Sequence, residues 1–372
     1  MNTKIKNAPF KYDIVGSFLR PEKLKDARRK FDAKEISAND LTQIEDECIK
    51  DLIKKQKSLG LNVITDGEFR RSWWHLDFMW GLNGINKVTV NKGYIFNDEE
   101  TRAESAAVTG KITGKSHPFV EHFKYVKSFE TDGVIARQTI PAPAQLLAEL
   151  QRNTGKEPTS FYYPDETELI IDIAAAYHTV IMDLYNAGCR NVQLDDCTWG
   201  MFCDKKYWEA RQKSNIDIRH ITEQYIKVNN LAINDLPKDL AVTTHVCRGN
   251  YHSTWASQGG YEPIAEELFA KQNVDAYYLE FDDERSGGFE PLKHVSPNKQ
   301  VVLGLITTKC PKLEDKGYIK SRVLEASKYV PLERLCLSPQ CGFASTEEGN
   351  ILTEEEQWSK IKLVKEIAAQ IW

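Results

Sequence analysis

His245-Val-Cys247, Glu280 and Cys341 offer one imidazole, two thiols and a carboxylate from three separate stretches of the chain. Zinc takes that mixture of nitrogen, sulfur and oxygen ligands in a tetrahedral arrangement. Their dispersal carries information. Structural zinc sites gather ligands in tight local pairs such as Cys-x2-Cys, whereas ligands drawn from distant segments line a cavity in which the ion can act on a substrate. The chemistry expected is therefore zinc activation of a thiol. Taken singly, each residue also has an ordinary reading: Cys341 suits core packing, and a glutamate after a strand often begins a solvated helix.

Something must bring the three stretches together, and each has the form of a buried strand with a polar tail. Residues 240–247 (Leu-Ala-Val-Thr-Thr-His-Val-Cys) are apolar and β-branched until their end, and 276–280 and 335–341 repeat the pattern. Read for periodicity, the chain offers eight β-rich runs, at 12–18, 62–66, 134–140, 191–195, 240–246, 276–281, 301–306 and 335–338. Helical spacing appears between many of them, at 41–59 and 168–186 (each followed by a glycine, Gly60 or Gly188), 221–233, 263–271, 319–329 and 353–371. That alternation predicts an α/β fold of the (β/α)8 TIM-barrel type, one catalytic domain over 1–372, with a long insertion at 70–127 after the second strand. Within the insertion, 87–91 and 107–113 read as hairpin strands, and a segment of this length serves as a lid or wall. Barrel active sites lie at the carboxyl ends of the strands. There the sequence supplies Val15-Gly16-Ser17, Asp66-Gly67-Glu68, Asp195-Asp196, His245, Cys247, Glu280 and Cys341.

Composition narrows the partners. With 372 residues, 41% hydrophobic and 28% charged, and a net charge of −5, the chain has an ordinary polar surface and no basic excess for nucleic acid. No run is apolar and long enough to cross a bilayer, and Met1 to Pro9 contains no apolar signal core, so a cytoplasmic location is expected. Eight irregularly spaced cysteines imply reduced thiols. Cys48, Cys189 and Cys336 sit in apolar patterns as core residues, and Cys197 follows a strand end, where it would line the cavity without binding metal. The composition is compatible with self-association.

With these residues in place, the chain resembles the catalytic barrel of cobalamin-independent methionine synthase, particularly its short single-barrel relatives. The likeness spans nearly the whole chain but only the C-terminal half of the full-length synthase. Thr244-His245-Val-Cys247, Tyr278-Leu-Glu280 and Ser338-Pro-Gln-Cys341-Gly match the family's zinc segments; Ile14-Val-Gly-Ser17, Asp66-Gly-Glu68 and Val192-Gln-Leu-Asp195 match its homocysteine segments. The resemblance implies that His245, Cys247, Glu280 and Cys341 bind Zn2+. It also implies that Glu68 and Asp195 hold the homocysteine ammonium, while the backbone of Val15, Gly16 and Ser17 receives its carboxylate. A methyl group would pass from a donor such as 5-methyltetrahydrofolate to the homocysteine thiol, giving methionine. Independently, an amino-acid zwitterion needs anions at one end and N–H donors at the other, and a Gly-Ser turn supplies the donors.

The match departs at the donor half. Thr139-Ile-Pro-Ala-Pro143 has no tryptophan where the synthase stacks its pterin, and Lys309 stands near its proton-donating histidine, a candidate acid for the leaving group. Trp73, Trp74, His75 and Trp80 could wall the donor cavity or anchor the insertion; Arg70 and Arg71 read as a solvated face. Two further functions remain open at this level: alkyl transfer to another thiol such as coenzyme M, which has no ammonium for Glu68 and Asp195, and a barrel that binds zinc and thiol without turnover. A decarboxylase of the uroporphyrinogen type would leave the four ligands unexplained.

Overall fold

The computed structural model describes residues 8–97, 99–152, 156–214 and 216–372; the reading of residues 1–7 lies outside them. In chain order the strands are β1 (Val63–Ile64), β2 (Asn83–Thr89), β3 (Ile95–Phe96), β4 (Glu99–Glu100), β5 (Glu104–Thr113), β6 (Ile135–Ala136), β7 (Gln138–Pro141), β8 (Asn191–Asp196), β9 (Ala241–Val246), β10 (Ala276–Glu280), β11 (Gln300–Ile306) and β12 (Leu335–Pro339). Strands β7 to β12 form one parallel sheet whose spatial order repeats their chain order. Such strands are covered on both faces, so every residue of β8, β9 and β10 is buried, the polar ones included. Register positions the chemistry: Asp195 lies opposite His245, His245 opposite Tyr278, and Glu280 opposite Gly304.

Only Arg137 separates β6 from β7, so one stretch pairs with β1 through its first half and with β8 through its second. Past β12, Asp13 N donates to Leu337 O at 2.9 Å, Leu337 N donates to Lys11 O at 2.9 Å, and Phe18 N donates to Gly67 O at 3.1 Å. The expected strand at 12–18 is thus present as an extended segment with a single bridge, Tyr12 to Leu337. Its own residues explain the shortfall. The Asp13 carboxylate takes the backbone N–H groups of Phe10 and Ile14, and Gly16 turns the chain at φ +148°. The remaining expected strands are found with ends shifted by a residue or two.

Asp13 and Arg137 form a fully buried ion pair at 2.9 Å, and the Tyr278 hydroxyl donates to Asp13 Oδ2 at 2.8 Å while accepting from Arg137 at 2.7 Å. This network ties the N-terminal segment to the sheet. Arg137→Met would strand a buried carboxylate without its counter-ion, and we expect a loss of about 3–5 kcal/mol, read as a lower urea midpoint.

The helix Ala38–Ser58 starts on a capping box between Ser37 and Asp40 and stops before Gly60, whose φ of +77° suits glycine. In the 70–127 segment, β2 and β5 pair antiparallel as expected, and β3 and β4 form a smaller hairpin. That hairpin is fastened to the loop after β9 by Glu99 and His252, 2.9 Å apart, and by Phe96 against Tyr251. The solvated face expected of Arg70 and Arg71 is not found. Arg70 pairs with Glu45 and Asp46, and Arg71 is 1% exposed, bound to the Thr139 carbonyl and facing Glu68. Carboxylates on the helix Ala38–Ser58 draw Arg70 inward, and the Thr139 carbonyl together with Glu68 of the same turn draws in Arg71. Among the described residues no helix is long and apolar enough to cross a membrane.

Candidate active site

The carboxyl ends of the parallel strands open on a cavity of about 480 Å³. His245 and Cys247 reach it from the end of β9, Cys341 from just past β12, and Glu280 closes the group from the last residue of β10. Ligand atoms of all four lie within 4.8 Å of one another, and all four residues are buried.

Their hydrogen bonding is incomplete in a telling way. His245 Nδ1 meets the Tyr278 carbonyl at 3.3 Å, which makes Nδ1 the protonated nitrogen and leaves Nε2 with a bare lone pair; Nε2 has no partner. Glu280 Oε1 accepts from Arg248 N at 2.9 Å, while Oε2 makes no hydrogen bond and faces Arg285 at 3.7 Å. Cys247 Sγ accepts from Gly249 N at 3.2 Å and lies 3.7 Å from Cys341 Sγ. The Cys341 thiol is pushed well above its ordinary range by its hydrogen bond to Cys247 and by burial. That of Cys247 is raised by its hydrogen bond with Cys197 and by burial. At His245, burial disfavours the charged ring, but Cys341 and Glu280 outweigh it and raise the pKa. Two thiols that resist ionising side by side, next to an imidazole nitrogen and a carboxylate oxygen that accept no hydrogen bond, fit one central dication.

Glu68 and Asp195 line the same cavity. Glu68 follows Gly67 (φ +65°) and itself sits at φ +63°, a conformation held by its N–H donating to Asp66 Oδ1 at 2.8 Å. Its Oε1 accepts from Thr139 Oγ1 at 3.2 Å and faces Arg71 at 3.4 Å, whereas Oε2 is buried and unpartnered. Asp195 accepts from Gln193 Nε2 at 2.8 Å. Burial raises both acids to about 7, and the charge of Asp195 adds to the effect on Glu68. A cationic group between them would restore both to carboxylates.

Val15 and Ser17 line the cavity, with Gly16 between them. A Cβ on Gly16 would come within 2.8 Å of Thr139 Cγ2, and one on Gly342 would collide with Ser17 Oγ, so Gly16 lets this turn pack against β7 and Gly342 lets it pack against the segment carrying Cys341. Gly342→Ala should fold yet weaken amino-acid binding at least tenfold, measurable by calorimetry with methionine.

Lys309 does not line the cavity. Its Nζ is buried without a hydrogen-bond partner, and its charge acts on Glu280 and Asp282. Trp73, Trp74 and His75 line the cavity, but Trp80 turns away to the Ser105 carbonyl. Cys197 lines it as expected. Sequence reasoning missed Tyr94, Glu149, Arg152, Tyr207 and Tyr225, which complete the wall. Only the position of Glu149 and Arg152, on and just after the helix following a strand end, could have signalled any of them.

Residues 11–369 match the family described as cobalamin-independent synthase, catalytic domain. Bacillus subtilis (strain 168) YxjH, described as uncharacterized, is 44% identical over 370 residues, covering 99% of this chain and 96% of that protein. A protein described as methionine synthase from Saccharolobus solfataricus is 22% identical, covering 88% of this chain and 86% of its own length. Among solved structures, a putative vitamin-B12 independent methionine synthase from Listeria monocytogenes is 40% identical with a TM-score of 0.77, and 98% of each chain is covered. A B12-independent methionine synthase from Shewanella sp. W3-18-1, solved with selenomethionine, shares the fold at 18% identity and a TM-score of 0.74, again with 98% of each chain covered. The matched residues, the 40% identity over nearly full length and the parallel α/β sheet agree: this chain belongs to the cobalamin-independent synthase catalytic-domain family.

Proposed function

We propose that this protein is a zinc-dependent methyltransferase that methylates the thiol of homocysteine to give methionine. The observation that carries the reading is the convergence of His245, Cys247, Glu280 and Cys341, with no hydrogen bond to His245 Nε2 or Glu280 Oε2, at the cavity lined by the buried acids Glu68 and Asp195. We read the fold as one closed (β/α)8 domain, with 11–18 completing the ring between β12 and the turn after β1, and with 70–127 as its lid. The hydrogen bonds of Asp13, Leu337 and Phe18 support that closure. A biosynthetic reaction of this kind belongs in the cytoplasm.

A free thiol with pKa of about 8.5 is only a few per cent thiolate at neutral pH, so ionisation costs about 2 kcal/mol before any attack. Zinc in this site would supply the Lewis acidity that offsets that cost. Cys247, Cys341 and Glu280, ionised around a dication, would leave a formal charge near −1 and so would keep a bound sulfur nucleophilic. Glu68 and Asp195 would accept the ammonium, and the turn at Val15, Gly16 and Ser17 would face the carboxylate, so the thiol is directed at the metal end. The methyl group passes to sulfur, the thiol proton leaves to solvent, and the donor keeps the electron pair of its broken bond. Lys309 would stabilise ionised Glu280 in this scheme; its place outside the cavity speaks against proton delivery to the donor.

A thiol substrate without an amino group, such as coenzyme M, would leave both buried acids unanswered. The deciding experiment incubates zinc-loaded protein with homocysteine and, in parallel, 5-methyltetrahydrofolate, methylcobalamin and simpler methyl compounds. Methionine formation with one donor is expected. Stoichiometric zinc and homocysteine binding with no methionine from any donor would favour a binding protein.

A further inference from the structure

The two thiols of the candidate metal centre come from strands that do not touch. Cys247 follows β9 and Cys341 follows β12, and β10 and β11 stand between them in the sheet, so no ladder of backbone hydrogen bonds sets the distance between the two loops. Cys247 Sγ and Cys341 Sγ nevertheless lie 3.7 Å apart. Two sulfurs on one tetrahedral zinc, each bonded at about 2.3 Å, stand about 3.8 Å apart. Something other than the sheet holds that spacing.

Two buried asparagines, Asn250 and Asn350, span the gap. Asn250 lies three residues past Cys247, and its Nδ2 donates at 2.8 Å to the carbonyl of Gly342, the residue next to Cys341. Its Oδ1 accepts from Asn350 Nδ2 at 2.9 Å. The second hydrogen of that amide goes to Thr308 O at 2.8 Å, and Asn350 Oδ1 accepts from Ser253 N at 3.0 Å. Thr308, in the loop past β11, also places its Oγ1 3.0 Å from the Gly342 oxygen. A carbonyl only accepts and a backbone N–H only donates, so neither amide can be turned over without breaking the set. The same loop reaches the sulfur itself, since Gly249 N donates to Cys247 Sγ at 3.2 Å.

We propose that Asn250 and Asn350 are positioning residues for the metal: together they brace the loops after β9, β11 and β12, so that the two sulfurs keep the spacing a tetrahedral ion requires. The inference rests on the reading of His245, Cys247, Glu280 and Cys341 as zinc ligands. An ion that enters a site whose ligands are already held in place loses less free energy to ordering them. Metal affinity and geometry therefore depend on two side chains that never touch the ion.

The test measures zinc affinity by competition with a chromophoric chelator, and geometry by replacing zinc with cobalt(II), whose visible bands and thiolate charge-transfer absorption report coordination without any methyl donor. Asn250→Asp keeps the shape of the side chain and the acceptor for Asn350 but removes the donor to Gly342. Its added charge alone would favour a dication, so weaker zinc binding in this variant can come only from the lost donor. A fall of about 10–100-fold is expected, with a changed cobalt spectrum. Asn350→Leu, similar in volume and unable to hydrogen-bond, should fall by a comparable factor. The double variant should lose less than the product of the two, because both residues serve one brace. Thermal midpoints of the metal-free variants report folding separately. Unchanged zinc affinity and cobalt spectrum in the single variants, or a lowered midpoint with the spectrum unchanged, would make the asparagines ordinary packing and overturn the brace. Full multiplication of the two effects would overturn their joint action. An unaltered protein that takes up neither metal would instead sink the zinc reading, and the brace with it, so the two failures are distinguishable.

Discussion

Cys341→Ser and His245→Ala should each strip the protein of its metal. Purified and dialysed, the unaltered chain is expected to retain about one zinc, since apparent binding free energies of four-ligand zinc sites run at about 10–16 kcal/mol. Removing a partner that only orients a ligand already weakens such sites by about 10–100-fold; deleting a ligand should exceed that. In Cys341→Ser the remaining groups keep their burial, so Cys247 would face Glu280 with one anion fewer and His245 would lose the neighbour that raises its pKa. In His245→Ala the orphaned Nε2 disappears and the cavity gains room for water. Zinc content by mass spectrometry of the metal, and affinity by competition with a chromophoric chelator, read both effects without reference to activity. Full occupancy in both variants, with methionine formation unchanged, would refute the metal assignment. Glu280→Gln makes a useful contrast. It keeps shape and the contact with Arg248 N but removes the hardest ligand, so a smaller loss of zinc is expected than in Cys341→Ser.

How far the chain could be read before its fold was seen depends on what each signal reports. Strands such as Ala241–Val246 and Ala276–Glu280 are buried on both faces, and that state is written directly into their residue types, so their positions were legible. The convergence of His245, Cys247, Glu280 and Cys341 was legible for the same reason: each stands at or just past the polar end of such a run. The segment at 12–18 has a strand's composition but not its ladder, because Asp13 spends its carboxylate on nearby backbone N–H groups and on Arg137. Side-chain competition of that kind is invisible to periodicity. Arg71 shows a further limit. A pair of arginines on a polar stretch reads as solvated, yet the Thr139 carbonyl, from a strand end it meets only after folding, and Glu68, in the same left-handed turn, hold Arg71 inside. The rest of the cavity wall is built from helices and from the insertion, where Tyr94, Glu149, Tyr207 and Tyr225 carry no local pattern that separates lining from packing.

Glu68→Gln and Asp195→Asn should cripple amino-acid binding, and pH should expose the reason. Methionine is the better probe than homocysteine here, because it presents the same ammonium and carboxylate with no thiol to titrate. A hydrogen bond to a charged group is worth about 1.5–3 kcal/mol, so each substitution should weaken methionine binding by about 10–150-fold, and the double variant by more. Burial raises both acids to about 7 in the free protein, so below that pH they are largely neutral and offer the ammonium little. Methionine affinity should therefore rise between pH 6 and pH 8, by up to about tenfold per unit for each proton released on binding, and level off above. The stability of the free protein should move the other way. A carboxyl whose folded pKa lies above its unfolded value of about 4 holds a proton that the unfolded chain has lost, so stability falls as pH rises from about 4 to about 7. Saturating methionine should reverse that slope, since the ammonium makes the ionised acids the favoured form. In Glu68→Gln and Asp195→Asn each trend should shrink, and in the double variant the thermal midpoint should lose most of its dependence on pH over this window. A methionine affinity independent of pH, or equal in the double variant and the unaltered protein, would mean that the two acids hold no ammonium and that the amino-acid end of the substrate lies elsewhere.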